Sequence, residues 1–174
     1  MDFAQAGLAA GTTLLAVLLG GWLTTRAQDR LWRRDDQRQW RDIRLTAYTT
    51  FLTAFREYVA YVLLPSARIT AAPRPHSPHD LMPFFDEQGT RYKEQLEATK
   101  TELRLIAGRP EIVAASRTMV QQARLLAAAR ATHDADALPA ERFDELWAAE
   151  RRFVAAARRE LAVRDLAAEH PASA

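Results

Sequence analysis

Apolar and charged positions are arranged differently in the first 25 residues than in the rest of the chain. Residues 3–25 carry no charged side chain and include six leucines. As a helix, this stretch is about 34 Å long, which exceeds the roughly 30 Å hydrocarbon core of a bilayer. Asp2 precedes it and arginines follow it, the reverse of the order in a cleaved signal peptide. We therefore predict a transmembrane anchor over residues 1–25, with a signal peptide or a buried core helix as the alternatives.

The anchor is followed by a segment rich in arginine. Residues 26–44 hold seven arginines and four aspartates, and no Lys or Arg precedes the span. Lys and Arg close to a span mark its cytoplasmic side. The sequence predicts a basic helical stalk over 26–44 in a single-pass protein of the cell membrane, with the N-terminus outside and the C-terminal domain in the cytoplasm. The arginines nearest the span give this orientation: Arg26, Arg30, Arg33 and Arg34.

Beyond the stalk, apolar side chains recur at spacings of three and four, which is the period of amphipathic helices. The second of these stretches steps strictly by four and three from Phe85 to Ile106, a coiled-coil seam that needs a partner helix. Asp80 is the predicted cap of that helix, and Pro110 is the predicted first residue of the next. The predicted helices cover residues 45–64, 80–107, 110–131 and 139–168. The apolar face predicted for the last helix consists of Phe143, Trp147, Glu150 or Phe153, Val154, Ala157 and Leu161.

Four prolines lie within residues 65–79, and proline blocks a helix because it lacks an amide proton. This segment is therefore predicted to be a connecting loop. No segment alternates between apolar and polar residues with period two, so no sheet is expected. The predicted fold is all-α: an N-terminal transmembrane helix continues into an antiparallel up-down bundle of about four helices. The bundle is expected over residues 45–170, followed by a frayed tail at 171–174.

Composition and charge exclude several classes of function. The chain has no cysteine, which rules out disulfides, thiolate metal sites and thiol catalysis. Its net charge of +2 arises in the stalk, because basic and acidic residues balance from residue 45 onward. A nucleic-acid partner, which needs a clustered basic face, is therefore not expected.

The candidate chemical residues are few. His76, His79 and Asp80 contain two imidazoles and a carboxylate, but they lie in the proline-rich loop and fall short of the four ligands of a structural zinc site. Several carboxylates have a basic residue one turn away, which is typical of a solvated helix face. Glu97 follows Lys93 by four residues, and Glu145 follows Arg142 by three. We predict no catalytic residue, metal or cofactor. No small-molecule substrate is evident from the sequence.

The transmembrane span also contains a motif for self-association. Gly7 and Gly11 are four residues apart, and Ala16 and Gly20 repeat the spacing. Small residues at this spacing let two membrane helices approach closely. We predict Gly7 and Gly11 as the face of a transmembrane dimer.

Several stretches resemble a group of uncharacterised bacterial single-pass membrane proteins from high-GC genomes. The stretches are an R-x-x-A-Y-x-x-F-L pattern (Arg44, Ala47, Tyr48, Phe51 and Leu52) and residues 102–116 and 153–161. The resemblance implies a cytoplasmic helical domain and brings no known activity with it.

These observations favour a membrane-anchored, non-catalytic interaction or scaffold protein, whose partners are the lipid bilayer and another protein or a second copy of the chain. Two alternatives remain open. One is a small accessory subunit of a membrane complex. The other is a sensor or effector that binds a ligand between its helices, in a pocket lined by Phe55, Tyr58, Tyr92, Phe143 and Trp147. The interpretation that the sequence favours for these aromatics is that they fill the core. An apolar cavity with a few converging polar groups would favour the ligand.

Overall fold

The computed structural model describes residues 37–75 and 77–162. The chain divides into two compact units, Met1–Asp42 and Ile43–Ala174. In the first unit, only residues 37–42 are described, and they are helical. The predicted anchor and the arginines that orient it lie outside the described residues. Within the described ranges, no helix is both long enough and apolar enough to cross a membrane.

Four helices make up most of the described chain, so the predicted helical fold is confirmed in its coarse form. Helix α1 covers residues 37–63, α2 Glu87–Ile106, α3 Pro110–Arg130 and α4 Ala140–Glu160. A short 3-10 turn, Ala135–Ala137, precedes α4. The predicted start of α3 is confirmed, because its proline occupies the first turn, where the missing amide proton costs nothing.

The helices of the second unit alternate in direction. Arg44, near the start of α1, lies against Ile106 and Glu160 at the ends of α2 and α4. Farther along α1, Tyr61 stacks on Tyr92 in the first half of α2, with ring centroids 5.6 Å apart. Helix α1 is therefore antiparallel to both of its neighbours. The start of α3 lies beside the end of α4, so these two helices are antiparallel as well.

The core is formed by all four helices. Its apolar positions follow the predicted spacing in α1, α2 and α3. The largest fully buried side chains include Tyr48, Phe51, Phe55, Tyr58, Leu103, Ile112, Met119, Leu126, Leu146 and Phe153.

The predicted face of α4 is partly wrong. Phe153, Ala157 and Leu161 are buried as expected, but Leu146 is fully buried whereas Trp147 is 36% exposed. One position along a helix turns the side chain by about 100°, so the true face is rotated away from the tryptophan. The buried alanines at 149, 156 and 157 define that face, and small side chains carry little weight in an apolar pattern. The helix also ends at Glu160, not Ala168, and Ala162 follows it with a φ of 51°.

The prediction of a loop at 65–79, with no sheet in the fold, is wrong. Strands β1 (Ile69–Arg74) and β2 (Ser77–Phe85) form an antiparallel hairpin. Both strands of a two-stranded sheet are edge strands, where proline is tolerated, and the register shifts between Pro73 and Arg74. The hairpin also takes up Asp80, so α2 begins at Glu87 with Asp86 as its cap.

The end of the bundle at which α1 begins is closed by a buried carboxylate. Oε1 of Glu160 accepts a hydrogen bond from the Gly108 amide at 2.9 Å and lies 3.4 Å from Nε of Arg44. Burial, together with the neighbouring Glu160 carboxylate, raises the pKa of Tyr48 above its ordinary value. We call Arg44, Tyr48, Gly108 and Glu160 the Glu160 clasp. It joins α1, the α2–α3 turn and the end of α4.

Candidate functional site

The hairpin is fixed to the helices where β2 leads into α2. Oδ1 of Asp86 accepts hydrogen bonds from the Gly89 amide and the Tyr61 hydroxyl, both at 2.8 Å. These two donors hold the pKa of Asp86 below its usual value. Burial and the same bond to Asp86 raise the pKa of Tyr61 to about 12. One carboxylate thus caps α2 and also ties the hairpin to α1.

Close packing at this junction requires a glycine. A Cβ atom at position 89 would lie 2.5 Å from Cε1 of Tyr61 and 2.8 Å from Cβ of Phe85. Phe85, the last residue of β2, packs edge-on against Tyr58, with ring centroids 5.6 Å apart. Gly89 therefore lets the hairpin lie directly on α1.

A cavity of about 220 Å³ lies between the hairpin and helices α1, α2 and α3. Its apolar walls come from all four of these elements, and four charged side chains complete the lining. We call it the hairpin cavity. Its apolar lining consists of Tyr58, Met82, Pro83, Phe85, Leu96 and Val120, and its charged lining of Arg74, Lys93, Glu97 and Arg124.

Two of these four charges are neutralised by neighbours. Nε of Arg74 lies 3.1 Å from Oδ2 of Asp80 on the opposite strand, and Glu97 pairs with Lys100 one turn along α2. Within the described part of the chain, Lys93 and Arg124 form no ion pair at 4.0 Å or less. The lining therefore keeps an excess of two positive charges.

Tyr58 adds a polar group to the apolar wall. Its side chain is almost fully buried. Burial raises the pKa of its hydroxyl above the ordinary value, and the negative charge of Glu97 acts in the same direction, while Arg124 opposes it. The hydroxyl therefore stays protonated at neutral pH and can donate a hydrogen bond.

Of the five aromatic residues predicted to line a pocket, Tyr58 alone borders the hairpin cavity. Phe55 is buried in the core, and Phe143 is partly buried and packs against the core cluster. Tyr92 stacks on Tyr61 and lines a shallow groove beside the start of α2. Trp147 is on the surface of α4. These five aromatics therefore do not line one common pocket, although a cavity lies beside Tyr58.

A second concave surface lies between α1 and α4. It is an open groove that contains Arg56, Arg151, Arg158 and Arg159. Arg56 donates from Nε and Nη2 to Oε1 of Glu150 at 3.0 and 2.6 Å. Val154 and Ala155 are its apolar lining residues, whereas six apolar residues line the hairpin cavity.

The other predicted site residues make no site in the described chain. Gly7, Gly11 and the orienting arginines lie outside the described residues, as does His76. Among the described residues, no group of three or more His, Asp or Glu could hold a metal ion. The predicted surface pair Arg142–Glu145 is present at 3.3 Å. Glu97, however, pairs with Lys100 and not with Lys93 as the spacing suggested.

The charged residues of the cavity were not predicted. Helix α3 does contain a signal, because it carries three arginines and a single carboxylate, Glu111 in its first turn. Arg124 therefore has no acidic neighbour one turn away on its own helix. A cation without a local partner beside an apolar seam is a feature that a sequence search can detect.

Compared with known proteins, the chain matches no family model, no curated protein and no solved structure. The resemblance to bacterial single-pass proteins stays a prediction.

Proposed function

We propose that the chain is a membrane-anchored binding module whose helical domain takes up a small, largely apolar molecule in the hairpin cavity. The observation that supports this is the lining: six apolar side chains line the space, and a few charged groups border it. Binding sites for small molecules have this composition. The role proposed is binding, without a catalytic step, as in a sensor or effector.

The volume of the cavity limits the size of the ligand. A cavity of about 150 Å³ holds benzene, so the 220 Å³ found here suits a molecule of roughly nine non-hydrogen atoms. Molecules of this size bind with dissociation constants from about 1 mM to 1 μM, or roughly −4 to −8 kcal/mol. Drug-sized ligands need about 300 Å³ or more and are too large.

A thermal-stability experiment tests the binding function. The full chain in lipid nanodiscs is heated with benzoate, benzamide, benzyl alcohol or benzylamine at millimolar concentration, and unfolding is followed by circular dichroism. A ligand that binds only the folded state raises the Tm, so at least one compound is expected to do so. Val120→Phe, which fills the cavity, should abolish the rise, whereas the exposed α3 substitution Ala114→Phe should preserve it. No rise with any compound would contradict the function.

Anchoring of the module in the membrane is part of the proposal and is supported by the sequence. The uncharged stretch 3–25 and the arginines that follow it favour a single span, with the helical domain in the cytoplasm. The chain lacks cysteine, so Ser173→Cys introduces a single reporter thiol. A membrane-impermeant maleimide should label it only after cells are lysed. Labelling of intact cells would reverse the proposed orientation.

A second candidate function is a scaffold that self-associates or joins a larger membrane complex. The small-residue face at Gly7 and Gly11 would bring two copies together. Gly11→Leu should then lower the signal in a membrane dimerisation assay, and an unchanged signal would remove this face as the contact.

A further inference from the structure

We infer that the ligand of the hairpin cavity is a small organic anion, such as an aromatic carboxylate, with its apolar body on the cavity wall and its anionic group at Lys93 and Arg124. This inference rests on the proposed function, because it names the chemical class of the molecule that the cavity binds. The charge, hydrogen-bonding and size of the lining each support it.

The first argument is the balance of charge. The pairs Arg74–Asp80 and Glu97–Lys100 are each neutral, so they leave Lys93 and Arg124 as the uncompensated charges of the lining. Lys93 is exposed and Arg124 is half-buried, so both can remain charged without a carboxylate, unlike the ion pair of Arg44 with the buried Glu160. An anion that enters the cavity completes the balance, whereas a cationic ligand would add to the excess.

The second argument is the supply of hydrogen-bond donors. Lysine and arginine side chains donate hydrogen bonds but cannot accept them. The protonated hydroxyl of Tyr58 is a further donor. A site rich in donors fits a ligand whose polar end only accepts, such as a carboxylate.

The third argument is size and shape. Beside the charged groups, the lining contains the rings of Tyr58 and Phe85 and the flexible side chain of Met82. Benzoate, with a planar ring and one carboxylate, has the nine non-hydrogen atoms that the volume suits. Benzamide has the same number of atoms and nearly the same shape but no charge. The two compounds therefore isolate the contribution of charge.

The experiment compares matched fluorinated probes on the full chain in lipid nanodiscs. Binding of 4-fluorobenzoate and 4-fluorobenzamide is measured by fluorine NMR, with empty nanodiscs as the blank for partition into lipid. The test variant is Lys93→Met with Arg124→Met, which removes both charges and keeps an unbranched apolar side chain. The control is Arg104→Met with Arg117→Met, two exposed positions on the same helices outside the cavity.

We expect the wild type to bind 4-fluorobenzoate at least tenfold more tightly than 4-fluorobenzamide. The test variant should lose this preference while its affinity for the amide stays within threefold, and the control variant should retain the preference. Higher salt should weaken binding of the benzoate alone.

Three outcomes would overturn the inference, and they separate it from the proposed function. Equal binding of both probes would show that the cavity takes small molecules without selecting anions. An unchanged preference in the test variant would place the anion elsewhere on the chain. Binding of neither probe, together with no thermal shift from any of the four compounds above, would overturn the inference and the binding function together.

Discussion

The two ends of the helical bundle differ in how their charged side chains are paired. At the Glu160 clasp, one carboxylate receives the Gly108 amide and lies beside Arg44. About 14 residues farther along α1, or roughly 21 Å, Tyr58 borders the hairpin cavity, where two cations have no carboxylate partner among the described residues. At the first end, the cation Arg44 is paired with a carboxylate of the chain. At the second end, Lys93 and Arg124 are not paired in this way within the described residues.

This difference separates a structural cluster from a candidate binding site. Removing one partner of a buried ion pair destabilises a fold, because the other partner is left without its counter-charge. At the hairpin cavity, Lys93 is exposed and Arg124 is half-buried, and neither has a carboxylate partner among the described residues, so removing them leaves no buried counter-charge behind. The contrast predicts that substitutions at the clasp cost stability, whereas removal of the cavity cations costs binding.

The largest effect is expected in the aromatic packing beside the clasp. Phe153 is fully buried and packs on Phe51 and Tyr48, with ring centroids 5.1 and 6.0 Å away. Phe153→Ala should lower the free energy of unfolding by about 3–5 kcal/mol, because it removes apolar burial and leaves a cavity. Urea unfolding of the full chain in mild detergent measures this. Trp147→Ala, on the same helix but partly exposed, should cost at most about 1 kcal/mol, and a larger cost would reinstate the predicted face.

Loss of the carboxylate at the clasp should have the next largest effect. Glu160→Ala leaves the Gly108 amide without its acceptor and Arg44 without its counter-charge. Arg44 is about one-third exposed and keeps some hydration, so the expected loss is about 2 kcal/mol, below the range for a fully buried pair. Glu102→Ala, at an exposed position on α2, is the control and should change stability by less than about 0.5 kcal/mol. Equal losses for the two variants would show that the clasp does not stabilise the fold.

Gly89→Ala should have a smaller effect on stability and a distinct effect on the cavity. The new methyl group would collide with Tyr61 and Phe85, at a cost of about 1–3 kcal/mol for overpacking, offset by about 1 kcal/mol of helix propensity. A net loss near 1 kcal/mol is expected, together with weaker binding of 4-fluorobenzoate as the hairpin shifts. Gln88→Ala, at the exposed neighbouring position, should change neither quantity. Unaltered binding in Gly89→Ala would show that the cavity does not depend on this junction.

The smallest effect on stability should come from the cavity cations. Removal of two unpaired positive charges by Lys93→Met with Arg124→Met should leave the free energy of unfolding within about 0.5 kcal/mol of wild type, or raise it slightly. The same urea measurement tests this. A loss of unfolding free energy close to that of Glu160→Ala would indicate that the two cations stabilise the fold. The two ends of the bundle would then not differ in the way described.

The sequence predicts the parts of the fold that repeat at helical spacing. In α3, Ile112, Ser116, Met119 and Leu126 are buried as the pattern requires. The hairpin was predicted as a loop because it contains prolines, which are unfavourable in most strands. Both strands of a two-stranded sheet are edge strands, where proline is tolerated. In α4, the apolar face was predicted from the large side chain of Trp147, whereas the true face contains small buried alanines that an apolar pattern weights little.

The candidate site was harder to predict than the fold, for a physical reason. Its lining comes from the hairpin and three helices, so Arg74, Lys93 and Arg124 become neighbours of one cavity through tertiary packing alone. Local spacing suggested that Lys93 pairs with Glu97, but Glu97 pairs with Lys100, which lies on the same helix in the opposite direction. Local pairing rules cannot choose between two such partners.

Methyl NMR of the methionines can show directly whether the hairpin cavity binds a small anion. The chain has three methionines: Met82 lines the cavity, Met119 is fully buried outside its lining, and Met1 is the first residue of the predicted anchor. With methionine methyl groups labelled in the full chain, and Met82→Leu to assign its signal, benzoate is added to nanodisc samples. We predict a saturable shift of the Met82 signal with benzoate, a much smaller shift with benzamide at the same concentration, and little change at Met119. A Met82 signal that does not move, or that moves equally with both compounds, would contradict selective binding of an anion in the hairpin cavity.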